Sequence, residues 1–132
     1  MNNNKRPKLA DEWLRFAQED LDCAIETLSR KAFFHQTCLL CQQSAEKYLK
    51  AYMLSIQLPL KKIHDLVLLV KLCASNNPQF ESLLEECETL NPYITIGRYP
   101  GDLPFESIND NDAELALDAA KRIAIFVKKV ID

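Results

Sequence analysis

The stretch 34–56, FHQTCLLCQQSAEKYLKAYMLSI, constrains this chain more than any other. Apolar or small side chains recur at Phe34, Cys38, Cys41, Ala45, Tyr48, Tyr52 and Ile56, in steps of three and four. That spacing keeps one stripe of a helix turned toward a partner for more than twenty residues. A second stripe, Leu39, Gln42, Glu46, Leu49 and Met53, runs beside it and mixes apolar with polar groups. A helix that is apolar on more than one side belongs inside a bundle, with neighbours on two faces. Its polar insertions Gln42, Gln43, Glu46 and Lys47 are then either a solvated face or a functional surface.

The rest of the composition fits one domain over residues 1–132, with 1–6 polar and loose. Apolar residues make up 48% and charged residues 27%, the balance of an ordinary globular protein. Two glycines leave almost no material for tight hairpins or glycine-rich phosphate loops. A net charge of −3 argues against a broadly basic nucleic-acid surface and leaves room only for a local basic patch. Five cysteines, an odd number set in helix-like segments, fit reduced thiols in a cytoplasmic protein better than a disulfide framework. The first residues lack the apolar core of a signal sequence, and no apolar run approaches the roughly 20 residues that span a bilayer.

Taken in order, Pro7 suits a helix start. Trp13, Ala17, Leu21, Ala24 and Leu28 mark the inner face of a first helix to about Ser29, with Trp13 as the expected core anchor. The short connection Ser29 to Ala32 makes the second helix antiparallel to the first. After Pro59 a third helix is expected from Lys62 or Ile63, burying Leu66, Leu69, Val70 and Cys73. Asn77 and Pro78 suit the cap and first position of a fourth, with Phe80, Leu83, Leu84, Cys87 and Leu90 inward.

Residues 91–109 hold three of the six prolines and both glycines, a long loop expected to lie on the bundle through Tyr93, Ile94, Ile96, Tyr99 and Phe105. Asn111 with Glu114 reads as a capping-box-like start of the last helix, and Ala113, Leu117, Ala120, Ile123, Ala124, Val127 and Ile131 as its buried stripe. The expected fold is all-α: an up-and-down antiparallel bundle of four to five helices with a long loop before the last.

Four constellations invite a chemical role. Cys38-x-x-Cys41 has redox spacing, but it lies on the apolar stripe of a helix in a strand-free chain, so core packing is expected. A zinc site would need more local ligands than His35, so no metal is expected. Arg30-x4-His35 has the spacing of an arginine–histidine ribonuclease pair, a permissive pattern at the junction of two helices. His64-Asp65 opens the third helix: histidine exchanges protons near neutral pH, whereas aspartate there also serves the helix dipole. Arg98-Tyr99-Pro100 sits in the long loop, where arginine can fork a phosphate and tyrosine can stack on a base.

Trp13, Ala17 and Asp20-Leu21, then Cys41-Gln42-Gln43-Ser44-Ala45-Glu46-Lys47-Tyr48-Leu49-Lys50-Ala51, His64-Asp65-Leu66 and Arg98-Tyr99-Pro100, form an ordered set over nearly the whole chain. In that set the sequence resembles the HEPN domain, the higher-eukaryote and prokaryote nucleotide-binding helical domain. The resemblance implies a helical bundle that dimerises. Family members are often encoded beside a minimal nucleotidyltransferase, as a pair that can act as toxin and antitoxin. Many are metal-independent ribonucleases whose motif is an arginine, four to six residues, then a histidine, late in the domain. Here Arg98 could supply the arginine, but the permitted partner positions hold Leu103, Pro104 and Phe105.

The resemblance therefore implies a non-catalytic nucleotide- or phosphate-binding module without a cofactor, a homodimer paired with a nucleotidyltransferase. Gln42, Gln43, Glu46, Lys47, Lys50, Asp65, Arg98 and Tyr99 are the candidate ligand or partner surface. The alternative is a ribonuclease using His64 with Arg98, or else His35 with Arg30. RNA is a partner only under that alternative, and a membrane under neither.

Overall fold

The computed structural model describes residues 6–59, 62–96 and 107–132. It is an all-α bundle of five helices: α1 (Lys8–Ser29), α2 (Phe34–Ser55), α3 (Leu66–Ala74), α4 (Leu84–Leu90) and α5 (Asp110–Val130). Short 3₁₀ turns occupy Pro78–Leu83 and Asn91–Ile94. No helix is described between Ile94 and Asp110. None of the described helices is long and apolar enough to cross a membrane.

The period seen in residues 34–56 has the expected consequence. Both stripes of α2 are covered, and α2 packs against each of the other four helices. The turn after α1 is closed by two residues in left-handed conformation, Lys31 at φ 55° and Phe33 at φ 60°. Side-chain bonds then pair Thr27 with Thr37, Asp20 with Lys47 and Ala17 with Ser44, the antiparallel order expected of α1 and α2. Gln18 with Lys128 and Lys31 with Asp110 set α5 antiparallel to α1 in the same way. Alanine lets these axes approach: Ala10, Ala17 and Ala24 on α1, Ala45 on α2 and Ala113, Ala116 and Ala120 on α5 are fully buried. At the other end of α2, Phe80 stacks obliquely on Tyr52 at 4.4 Å and meets the Phe126 edge at 4.8 Å.

Several boundaries differ from those expected. α3 begins at Leu66, so His64 precedes the helix and Asp65 is its N-cap, accepting from the amides of Val67 and Leu68. The fourth helix runs as 3₁₀ from Pro78 to Leu83 before becoming α-helical, although Asn77 does cap it as read. The last helix starts sooner than supposed: Asn109 and Asp112, not Asn111 and Glu114, form the reciprocal capping box. Asn91, expected to open the loop, instead starts a 3₁₀ turn, and Tyr93 and Ile96 pack on the core as anticipated. Tyr99 and Phe105 lie outside the described residues. Trp13 is the largest departure. It is only partly buried and lies outside the core, because the four smaller residues of its stripe fill the α1 seam without it.

The cysteines behave as core. Cys38, Cys41, Cys73 and Cys87 are buried and Cys23 is exposed. Burial pushes the Cys38 thiol up to about 11 and those of Cys73 and Cys87 to about 12, with Cys41 raised further by the same cause. Among the described residues no group of three or more His, Cys, Asp or Glu side chains is arranged to hold a metal. A thiol reagent applied to the native protein should therefore label Cys23 alone. The other four should react only at the rate of unfolding; a second fast thiol would contradict this packing.

Candidate functional site

Gln42, Glu46 and Lys50 follow one another at steps of four along α2, so they share a face. That face is covered: Gln42 is 1% exposed, and the side chains of Lys50 and Glu46 are 6% and 13% exposed. They are tolerated there because the charges of Lys50 and Glu46 and the amide donor of Gln42 meet one another, while Gln42 Oε1 stays without a partner among the described residues. Gln42 Nε2 donates to Glu46 Oε1 at 3.1 Å, and Lys50 Nζ donates to Oε2 at 2.8 Å. His64 Nδ1 reaches the same Oε2 at 3.0 Å. One carboxylate thus ties three donors from two segments of the chain.

Burial by itself would raise the Glu46 carboxyl. The hydrogen bonds from Lys50 and His64, the Lys50 charge and the Gln42 amide outweigh it, and hold the group below its ordinary value of 4.5. Glu46 is therefore an anion at neutral pH. Against an anionic acceptor, Nδ1 of His64 carries the proton. Its side chain is 59% exposed, and Nε2 has no hydrogen-bond partner among the described residues. The arrangement is an imidazole fixed from behind and open in front.

The same lysine reaches outward to an aromatic. Lys50 Nζ lies 5.8 Å from the centre of the Trp13 ring, and one turn away Lys47 Nζ lies 6.0 Å from Phe16, itself 58% exposed. Lys47 also bonds Asp20 at 2.6 Å. Trp13, assigned from the sequence to the core, is part of this surface, and its only signal was a place beside Asp20 in the ordered set of residues. Asp65 holds the other flank. Its carboxyl bonds Asn91 Nδ2 at 2.9 Å, while Asn91 Oδ1 accepts from the Leu66 amide at 2.8 Å. Asn91 and the capped amides keep Asp65 below the usual carboxylate range. Its work is to anchor the start of α3, and with it the adjacent His64.

The candidate surface thus divides. Gln42 and Lys50 are internal supports and not the open surface expected of them, whereas Gln43 and Lys47 remain partly exposed. Arg98 and Tyr99 lie outside the described residues. Arg30 stands apart, at the end of α1, with its guanidinium 3.7 Å from Glu26. His35 lies in the first turn of α2.

The HEPN domain family matches this chain over residues 10–130. Among solved structures, an archaeal HEPN homologue is 27% identical, covers 97% of this chain and 99% of its own, and superposes with a TM-score of 0.77. A protein from Thermus thermophilus is 28% identical over 91% of this chain and 96% of its own, also at 0.77. No curated protein sequence matches the chain.

Replacing Glu46 by alanine leaves Lys50 buried without its counter-charge, and should lower the unfolding free energy by about 3 kcal/mol in urea titrations. The folded-state value of Glu46 lies below the unfolded one, so its stabilisation is present above about pH 4.5 and is lost as pH falls through the folded value. The stability gap between wild type and Glu46→Gln should accordingly shrink on going from pH 7 to below 4.5. A gap independent of pH would contradict an ionised Glu46.

Proposed function

The chain belongs to the HEPN domain family, and from that premise we propose that it is a non-catalytic nucleotide- or phosphate-binding and interaction module. In this proposal residues 1–132 form one domain that works as a cytoplasmic homodimer. Its partner is a minimal nucleotidyltransferase, in a two-component pair of the toxin–antitoxin kind. The family as a whole comprises nucleotide-binding and ribonuclease-type modules that commonly dimerise.

The observation that carries the proposal is the exposed His64 imidazole held by an ionised, largely covered Glu46. When protonated, Nε2 donates to a phosphate oxygen, and the ring is already positioned before the ligand arrives. Lys47 and Gln43 add polar contacts, and the exposed Phe16 ring with the neighbouring Trp13 offers flat apolar faces for a base. Binding is preferred to cleavage because cleavage needs a base, an acid and a phosphate-stabilising cation together. Among the described residues His64 bonds only to Glu46, and the histidine four to six positions after Arg98 is missing.

Calorimetric titration with ATP should give a saturable signal that His64→Ala weakens about tenfold, the size of one charge-assisted hydrogen bond. Titration without heat or saturation would remove the proposal. The protein should also co-purify with the product of the adjacent gene.

A second reading has one observation in its favour: a carboxylate-oriented histidine is also the arrangement of a general base. Under that reading the purified protein degrades RNA in the presence of chelator, and His64→Ala and Arg98→Ala abolish the cleavage. Intact RNA in every sample rules it out for the substrates tried.

A further inference from the structure

On a face of α1 away from Trp13 and Lys50 lies a hollow of about 490 Å³, formed where α1 meets α2 and the C-terminal end of α5. Its charged lining is wholly cationic: Arg6, Arg15 and Lys128, with no carboxylate among the lining residues. In a chain of net charge −3 that concentration is unexpected. Arg6 is partly neutralised by Asp11 at 2.5 Å. Among the described residues neither Arg15 nor Lys128 has a carboxylate within ion-pair distance. Lys128 instead donates to a neutral acceptor, Gln18 Oε1, at 3.0 Å, and lies 5.9 Å from the centre of the Tyr48 ring.

The floor is built and rigid. Tyr48 is buried and gives its hydroxyl to the same Gln18 oxygen. Burial pushes that phenol up to about 12, so it stays a neutral donor. Gln18 is fixed from its other end as well, donating through Nε2 to Asp22 at 2.9 Å. The amide thus anchors Lys128 over the hollow while adding no negative charge to it. Leu14 and Ile131 supply apolar wall. The volume lies within the range of small-ligand sites.

We propose that this hollow is a second anion site, separate from His64, which receives the polyphosphate group of a small ligand. Two guanidinium forks and one ammonium around a rigid neutral floor match the many acceptor oxygens of a di- or triphosphate. The cations stand at the rim and remain hydrated, so the binding is salt-sensitive. The phosphate group can come as free polyphosphate or as part of a nucleotide whose base lies on Leu14 and Ile131.

The test is titration of the full chain with tripolyphosphate, ATP and adenosine at low and at physiological salt. Tripolyphosphate should bind, more weakly as salt rises, and adenosine should not. Arg15→Ala and Lys128→Ala should each weaken tripolyphosphate about tenfold, with melting curves confirming the fold. Arg122→Ala, on the part of α5 facing Glu86, should leave it unchanged. Equal affinity for ATP and tripolyphosphate assigns the site to the phosphate group alone, whereas tighter ATP adds the base; both support the site. Tripolyphosphate that fails to bind, binds all variants equally, or is lost only in His64→Ala overturns it. Because the two sites carry different variants, the loss of ATP binding in His64→Ala speaks to the His64 proposal and not to this one.

Discussion

The Glu46 carboxylate is the interaction on which this surface depends. A buried carboxylate is costly unless its charge is met and its lone pairs are filled. Here Lys50 meets the charge, and Gln42 and His64 complete the hydrogen bonds. Each of those residues is then fixed in turn. Lys50 can lie inside the bundle only because Glu46 is there. His64 precedes α3, where the chain would otherwise leave its ring free to rotate. The carboxylate converts a loop histidine into a positioned group.

That positioning needs a rigid floor, and α2 provides it. The helix is enclosed by all the others, with Tyr48, Leu49 and Met53 fully buried. Alanines on α1 and α5 bring those helices close enough to seal its two stripes. From the return after α2, Asp65 and Asn91 lock the first turn of α3 to the Asn91–Ile94 turn, which keeps His64 level with Glu46. Stability and site share the same residues, so the functional surface is an outward extension of core packing.

The fold was largely legible in the sequence because it is written in apolar spacing, and spacing is local. The stripes of α2, α3 and α5, and that of α1 apart from Trp13, could be read residue by residue, as could the packing role of the cysteines. Capping was less legible. Asn109 and Asn111 both suit an N-cap, and choosing between them depends on how far the chain must travel to reach α5. Likewise His64 and Asp65 fit a first helical turn until the Asn91 side chain, 26 residues beyond Asp65, takes the Leu66 amide. Polar residues were the hardest to place. Gln42 and Lys50 look like surface in one dimension, and only the three-way bond at Glu46 explains their burial. Trp13 looks like core for the converse reason: its size suggests an anchor, but a seam lined with alanine has no room for it. Nothing in the spacing joins Arg15 to Lys128, which lie at opposite ends of the chain.

The central claim is that Glu46 fixes His64 with its proton on Nδ1, so that Nε2 of the exposed ring can meet a ligand. Nitrogen NMR of the imidazole, in the uniformly labelled protein at a pH where the ring is neutral, tests it directly. His64 should show Nδ1 protonated and Nε2 bare, and Glu46→Gln should move the ring toward the opposite tautomer. A wild-type ring already protonated on Nε2, unchanged by Glu46→Gln, would contradict it.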